Sequence, residues 1–348
     1  MAGFVALVLL LAVAAYACGG GTDYGAGFWD LTAGGTERGK RPRWLIDHAM
    51  APVWEVNNVW LVFVLVLMWT GFPVMFQTVF TALWLPLALA ALGMVLRGAG
   101  FALRKPARRP ARRRLYGAAF AVASLLTPFF LGAAVGAIAT GRIAPGTEAS
   151  ADAWANHASL AFGVLTVAAT ALLGAVFLTA DAARFDAPDL VGYFRLRSLF
   201  ALVAVALTAV WVLVVTRGDS PHVWHGLTHG AGLALAIVSL VCFAATALFV
   251  LRRRTHLARF GAVGTVVAGV LAWGLAQRPY LIPTSLSVAD AAGDPQTLVW
   301  LTVVSLVSLL LVAPAVFFLY WLDTHGELEP LTESDLSGPG PVRGDERP

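Results

Sequence analysis

The sequence predicts an all-α, polytopic membrane protein of about nine transmembrane helices, and three observations predict it. Apolar residues make up 59% of the 348 and charged residues only 13%, against ~25% charged in ordinary soluble chains. The apolar residues gather into nine runs, each near the ~20 residues an apolar helix needs to cross ~30 Å of hydrocarbon. Basic residues then alternate between the connections. With arginines at span ends assigned to the adjoining loop, the loops after spans one, three, five and seven hold 4, 8, 3 and 4 of them. Those after spans two, four, six and eight hold 0, 1, 1 and 1. Basic residues mark cytoplasmic loops, so nine crossings put the N-terminus outside and the C-terminus in the cytoplasm.

The first span covers residues 3–19 and can extend to 31, through a glycine-rich stretch that remains apolar on balance. Span two, 54–72, follows Pro52, a residue suited to a first helical turn. Span three, 74–97, ends on Arg97, where an arginine normally snorkels to the cytoplasmic interface. The densest basic block, 104–114, follows and reads as a topogenic loop. Span four, 116–140, has only Arg142 beyond it; span five is 158–180. Span six, 196–216, ends at Arg217-Gly218-Asp219-Ser220-Pro221, a polar turn. Span seven, 227–251, is led in by His222, His225 and His229, and spans eight and nine cover 258–277 and 298–322. From 324 the chain turns polar, acidic and rich in proline and glycine, a composition that does not pack a core. The expected division is therefore a transmembrane domain, 1–323, and a disordered cytoplasmic tail, 324–348.

A pI near 9.4 invites a nucleic-acid reading, but the charge sits in juxtamembrane loops, where it orients the chain and meets anionic lipid headgroups. Cys18 and Cys242 lie inside apolar spans, where a free thiol behaves as a small hydrophobe. The short loops offer no extramembrane domain for a soluble substrate. Function must lie in the membrane or in a partner subunit.

Ionisable groups inside a bilayer are costly and mark function. Asp23 lies in Gly19-Gly20-Gly21-Thr22-Asp23-Tyr24-Gly25, and Gly21 with Gly25 has the small-xxx-small spacing that lets helices approach closely. A carboxyl group there must be paired, hydrated or protonated. Loss of water favours the protonated form of a carboxyl group, so Asp23 is a candidate proton carrier, with a hydrogen-bond anchor as the plainer alternative. Span two opens on Trp54-Glu55-Val56-Asn57-Asn58-Val59-Trp60. Glu55 and Asn58, three apart, share a helix face and can bond each other or reach span one. Trp54 and Trp60 fit either an interfacial belt or a cofactor-facing role. His222, His225 and His229, at offsets of three and seven, fall on one helix face, a pattern that haem or a metal can use. Only His157 could face them from the outer side, so solvated or hydrogen-bonded histidines are the preferred reading.

Three separated stretches resemble subunit II of the cytochrome bd quinol oxidases. Thr22-Asp23-Tyr24-Gly25-Ala26-Gly27 is similar to the end of that family's first helix. Ala51-Pro52-Val53-Trp54-Glu55-Val56-Asn57-Asn58-Val59-Trp60-Leu61 resembles its Pro-x-Trp-Asp/Glu-x-Asn-x-Val-Trp-Leu signature. Residues 279–292, Pro-Tyr-Leu-Ile-Pro-Thr-Ser-Leu-Ser-Val-Ala-Asp-Ala-Ala, are similar to the segments before its last helix, and Arg97 matches its arginine after helix three. The chain departs from the family pattern at Gly20, often an aspartate, and at Val56, usually a glycine.

The resemblance implies a multi-pass subunit of the bacterial cytoplasmic membrane that carries no haem itself. Its partner would be the haem-bearing subunit I of a heterodimer, with haems b and d, in an enzyme that reduces oxygen to water with electrons from quinol. Such a subunit II can also hold a structural quinone. Asp23 and Glu55 are the implied proton-transfer residues, with Trp54, Asn57, Asn58, Trp60 and Arg97 supporting them. Two other readings stay open: a secondary transporter with intramembrane carboxylates, and a membrane cytochrome using the histidine face.

Overall fold

The computed structural model describes residues 1–35, 39–50, 54–104 and 109–324. The first apolar run takes its longer form, because α1 (Ala2–Leu31) continues as one helix through the glycines. A short surface helix, α2 (Lys40–Met50), carries charge on one side and Trp44, Leu45 and Ile46 on the other. It is followed by α3 (Trp54–Gly71).

The expected third span is broken. Residues 73–82 form a separate helix, α4 (Pro73–Ala82), bent 116° from α3. Pro73 is the first residue of α4 and has no N–H to donate, so the turn costs little there. The crossing helix is α5 (Trp84–Arg104), which runs seven residues past Arg97. Then come α6 (Pro110–Ala139), α7 (His157–Arg184) and α8 (Pro188–Asp219). The expected seventh span is α10 (Gly230–Leu251), and the residues leading into it form a separate helix, α9 (Pro221–Thr228), with His229 extended between them and Gly230 at φ +60. After α11 (Thr255–Ala276) a small antiparallel hairpin, β1 (Tyr280–Ile282) and β2 (Leu286–Ser287), leads into α12 (Val288–Ala291) and α13 (Pro295–Thr324).

Among the described residues seven helices are long and apolar enough to cross a membrane, and the bent pair of α3 and α4 makes an eighth if taken as one span. Residues 295–311 add a shorter apolar helix. The chain divides into two units, Met1–Leu298 and Val299–Pro348, the second described only through the remainder of α13. The expected tail, 325–348, lies outside the described residues.

Within the first unit, α7 is the hub, packed against α1, α6, α8 and α11. Small residues let its neighbours come close. A Cβ on Gly25 of α1 would collide with the backbone carbonyl of Thr170, and one on Gly174 would meet the backbone of Gly25. The small-xxx-small spacing around Asp23 is thus a backbone-to-backbone helix crossing.

The orientation drawn from the basic loops has a direct test. Reporter fusions after residues 73, 142, 218 and 290 are expected outside, and fusions after 105, 190 and 255 inside. An outside signal at 105 would reverse the whole arrangement.

Candidate functional site

Polar side chains in the membrane-spanning part collect along one side of α1. Asp23 is 4% exposed, and the Asn57 side-chain amide of α3 donates to its carboxylate at 2.6 Å and to the Gly19 carbonyl at 3.0 Å. That bridge needs Gly19, since a Cβ there would overlap the Asn57 amide. A buried amide paired to a carboxylate and a carbonyl is satisfied on both N–H groups.

Arg97 of α5 is 7% exposed and turns inward instead of snorkelling to the interface. Two further turns of α5 lie beyond it. The guanidinium stacks 4.7 Å from the Tyr24 ring centre and 5.3 Å from that of Phe120. Nε donates to the Ser124 hydroxyl at 3.2 Å, while Nη2 has no hydrogen-bond partner among the described residues. Asp23 lies within its electrostatic reach, so the membrane interior holds an opposed carboxylate and guanidinium flanked by aromatic faces. Above them the Tyr16 and Tyr24 hydroxyls are 3.1 Å apart.

Asp30 falls seven residues, two turns, after Asp23 and so on nearly the same side of α1. It is 4% exposed and takes Arg43 Nε at 2.8 Å and Arg104 Nη1 at 2.5 Å. Asp47 of α2 stands 3.7 Å from Arg104 Nη2. Ser124, which touches Gly27, lies between the two carboxylate levels. Asp30, Arg43, Asp47, Arg104 and Ser124 escaped the sequence reading, although the seven-residue spacing of Asp23 and Asp30 was a usable signal.

Glu55 and Trp54 lie on the first turn of α3, two and three residues before Asn57; their side chains lie outside the described residues. Asn58 is exposed. The residue that reaches across is Asn57, and because neighbours on a helix differ by ~100°, its inward turn sends Asn58 outward. Trp60 is half-buried, edge-on to Phe63 at 6.5 Å.

The three histidines do not share a helix face, because α9 stops before His229. His222 lies 3.2 Å from the Gln277 carbonyl oxygen and edge-on to Tyr280. His225 and His229 are exposed and stacked, ring centres 4.2 Å apart. No group of three or more His, Cys, Asp or Glu able to hold a metal occurs among the described residues.

Residues 1–323 match the family described as cytochrome bd terminal oxidase subunit II. The chain belongs to that family. It is 22% identical over 313 residues to a Bacillus subtilis (strain 168) protein provisionally named as a cytochrome bd menaquinol oxidase subunit II, covering 86% of this chain and 88% of that one. Its fold is similar to a chain of the bd oxidase structure from Geobacillus thermodenitrificans, with a TM-score of 0.76, 24% identity, and coverage of 92% and 98% of the two chains. This subunit II is accordingly a multi-pass protein of the bacterial plasma membrane and a member of an oxidoreductase complex.

Proposed function

We propose that this chain is the haem-free subunit of a heterodimeric quinol:oxygen oxidoreductase, seated against a haem-bearing subunit I, and that Asp23 and Glu55 pass protons towards the oxygen site in that partner. Haems b and d would belong to subunit I and supply the oxygen chemistry. Menaquinol, the donor in the name of the Bacillus relative, is the electron source we assign.

Asp23 carries the relay reading. Oxygen reduction takes up a proton with each electron, and a proton crossing a low-dielectric interior needs side chains that bind and release it. Asp23 is buried and holds one amide donor, so it can gain a proton without breaking an ion pair. Asp30, clamped between two guanidiniums, is held by two ion pairs and serves as an anchor. Arg97 faces Asp23 without a hydrogen bond to it, so it biases the carboxylate's charge without locking it. Glu55, on the first turn of α3, shares that helix with Asn57 and is the group through which the relay would reach the partner.

Glu55→Gln keeps shape and hydrogen bonding but removes the exchangeable proton. Quinol-dependent oxygen consumption should fall about tenfold or more while haem content persists, and Glu55→Asp should retain more activity than the amide. Full turnover of assembled Glu55→Gln across the pH range would make Glu55 an anchor.

The division of labour has its own test. His222, His225 and His229 replaced together by alanine should leave the haem spectrum of the complex unchanged. Loss of one haem from an otherwise intact complex would assign these histidines to it.

A further inference from the structure

Tyr16 of α1 brings a second titratable side chain to the level of Asp23. At ~100° per residue, it falls about 20° from Asp23 around the helix, whereas Tyr24 falls about 100° from Asp23. Its ring runs along α1 over Gly20, where a Cβ would come within 2.9 Å of it. Asn57 ties the Asp23 carboxylate to the Gly19 carbonyl, so the carboxylate stands at that same Gly19–Gly20 turn. Asp23 acts electrostatically on both tyrosines.

The hydroxyls of Tyr16 and Tyr24 lie 3.1 Å apart, and among the described residues neither has another hydrogen-bond partner. Two hydroxyls bring two protons and share one bond, so one O–H is uncommitted. An unmet donor is costly away from water. Asn57 engages only Oδ2 of Asp23, which leaves Oδ1 as an acceptor at the level of these hydroxyls. On its far side Tyr24 meets the Arg97 guanidinium, 4.7 Å from its ring centre, and Arg97 in turn holds Ser124. Tyr16 is therefore placed between the Asp23 carboxylate and the polar groups of α5 and α6.

We infer that Tyr16 hands protons from Tyr24 to Asp23, a role that rests on Asp23 being the relay proposed above. In each transfer the Tyr16 O–H bond breaks as its proton bonds to the Asp23 carboxylate. The Tyr16 oxygen takes the proton of the Tyr24 hydroxyl in the same step, and a proton from cytoplasmic water refills Tyr24. Neither ring keeps a charge, and both hydroxyls rotate back for the next proton.

The test compares Tyr16→Phe, Tyr24→Phe and the double variant in the intact oxidase complex. Phenylalanine keeps the ring over Gly20, and the ring that Arg97 faces, and removes only the oxygen. Tyr16→Phe should lower quinol-dependent oxygen consumption about tenfold with the haem spectrum and thermal midpoint of the parent. Its solvent deuterium isotope effect on turnover should rise, because proton delivery becomes limiting. The double variant should be no slower than the slower single one, as for two members of one path. Glu55→Gln, measured alongside, separates this role from the relay itself. Normal turnover in Tyr16→Phe with slowed Glu55→Gln would remove Tyr16 and leave the relay standing, while normal turnover in both would overturn the two together. Losses that multiply in the double variant would put the hydroxyls on separate paths. A loss matched by less haem-loaded complex, with the isotope effect unchanged, would make Tyr16 a packing residue. Either result would overturn the hand-over.

Discussion

Asp23→Asn should assemble poorly, and whatever complex forms should lose quinol-dependent oxygen consumption. The amide can still accept from Asn57, so the hydrogen bond at 2.6 Å survives in altered form. The charge does not. Arg97, 7% exposed and with Nη2 unpartnered among the described residues, then loses the anion within its electrostatic reach, which weakens the packing of α5 on α1 without breaking a direct ion pair. The second change Arg97→Gln separates structure from proton transfer. The double variant removes both charges and should recover assembly, measured as haem-loaded complex per membrane. It should not recover turnover. Restored oxygen consumption in the double variant would show that Asp23 only balances Arg97.

The second large effect belongs to Asp30. Replacing it by alanine leaves Arg104, with only 8% of its side chain exposed, facing Asp47 alone and leaves Arg43 with the Gly34 and Gly35 carbonyls, and should cost on the order of 3 kcal/mol. The expected result is a sharp drop in complex yield and in its thermal midpoint. Asp189→Ala provides the contrast. Its pair with Arg41 is about half exposed on both sides, and such pairs contribute about 0–1 kcal/mol, so this variant should match the parent. Arg104→Lys should fall between them, because lysine keeps the charge but not the fork that meets Asp30 and Asp47 together. Equal stability of the Asp30 and Asp189 variants would remove the buried cluster from any structural role.

The crossings were legible because hydrocarbon thickness and lipid charge act on composition, which a sequence states openly. Breaks inside an apolar run were not. At Leu83 and His229 the chain stays apolar or neutral on both sides, so the helix is interrupted with no change in hydropathy. The register of α3 was hidden for a related reason. A helix apolar on nearly every side gives no stripe to say whether Asn57 or Asn58 faces inward. Arg104 was masked by its company, since the basic block at 104–114 already has an explanation in topology. Only contact with Asp30 distinguishes it from its neighbours. Arg97 looked like the end of a span because the apolar run ends there, yet the helix does not.

The buried pairing of α1 also sets a timetable for synthesis. Arg104 follows Asp30 by 74 residues, and at ~5–20 residues per second on the ribosome it appears ~4–15 s later. Arg43 comes only 13 residues behind Asp30 and is the one early counter-ion of the pair. The α7 carbonyl that receives the Trp29 indole is 142 residues downstream. Through that interval the nascent helix carries its carboxylates and bare glycines with no bundle to cover them. It must wait beside the insertion machinery, and a polypeptide terminated before α7 leaves that helix exposed to membrane proteases.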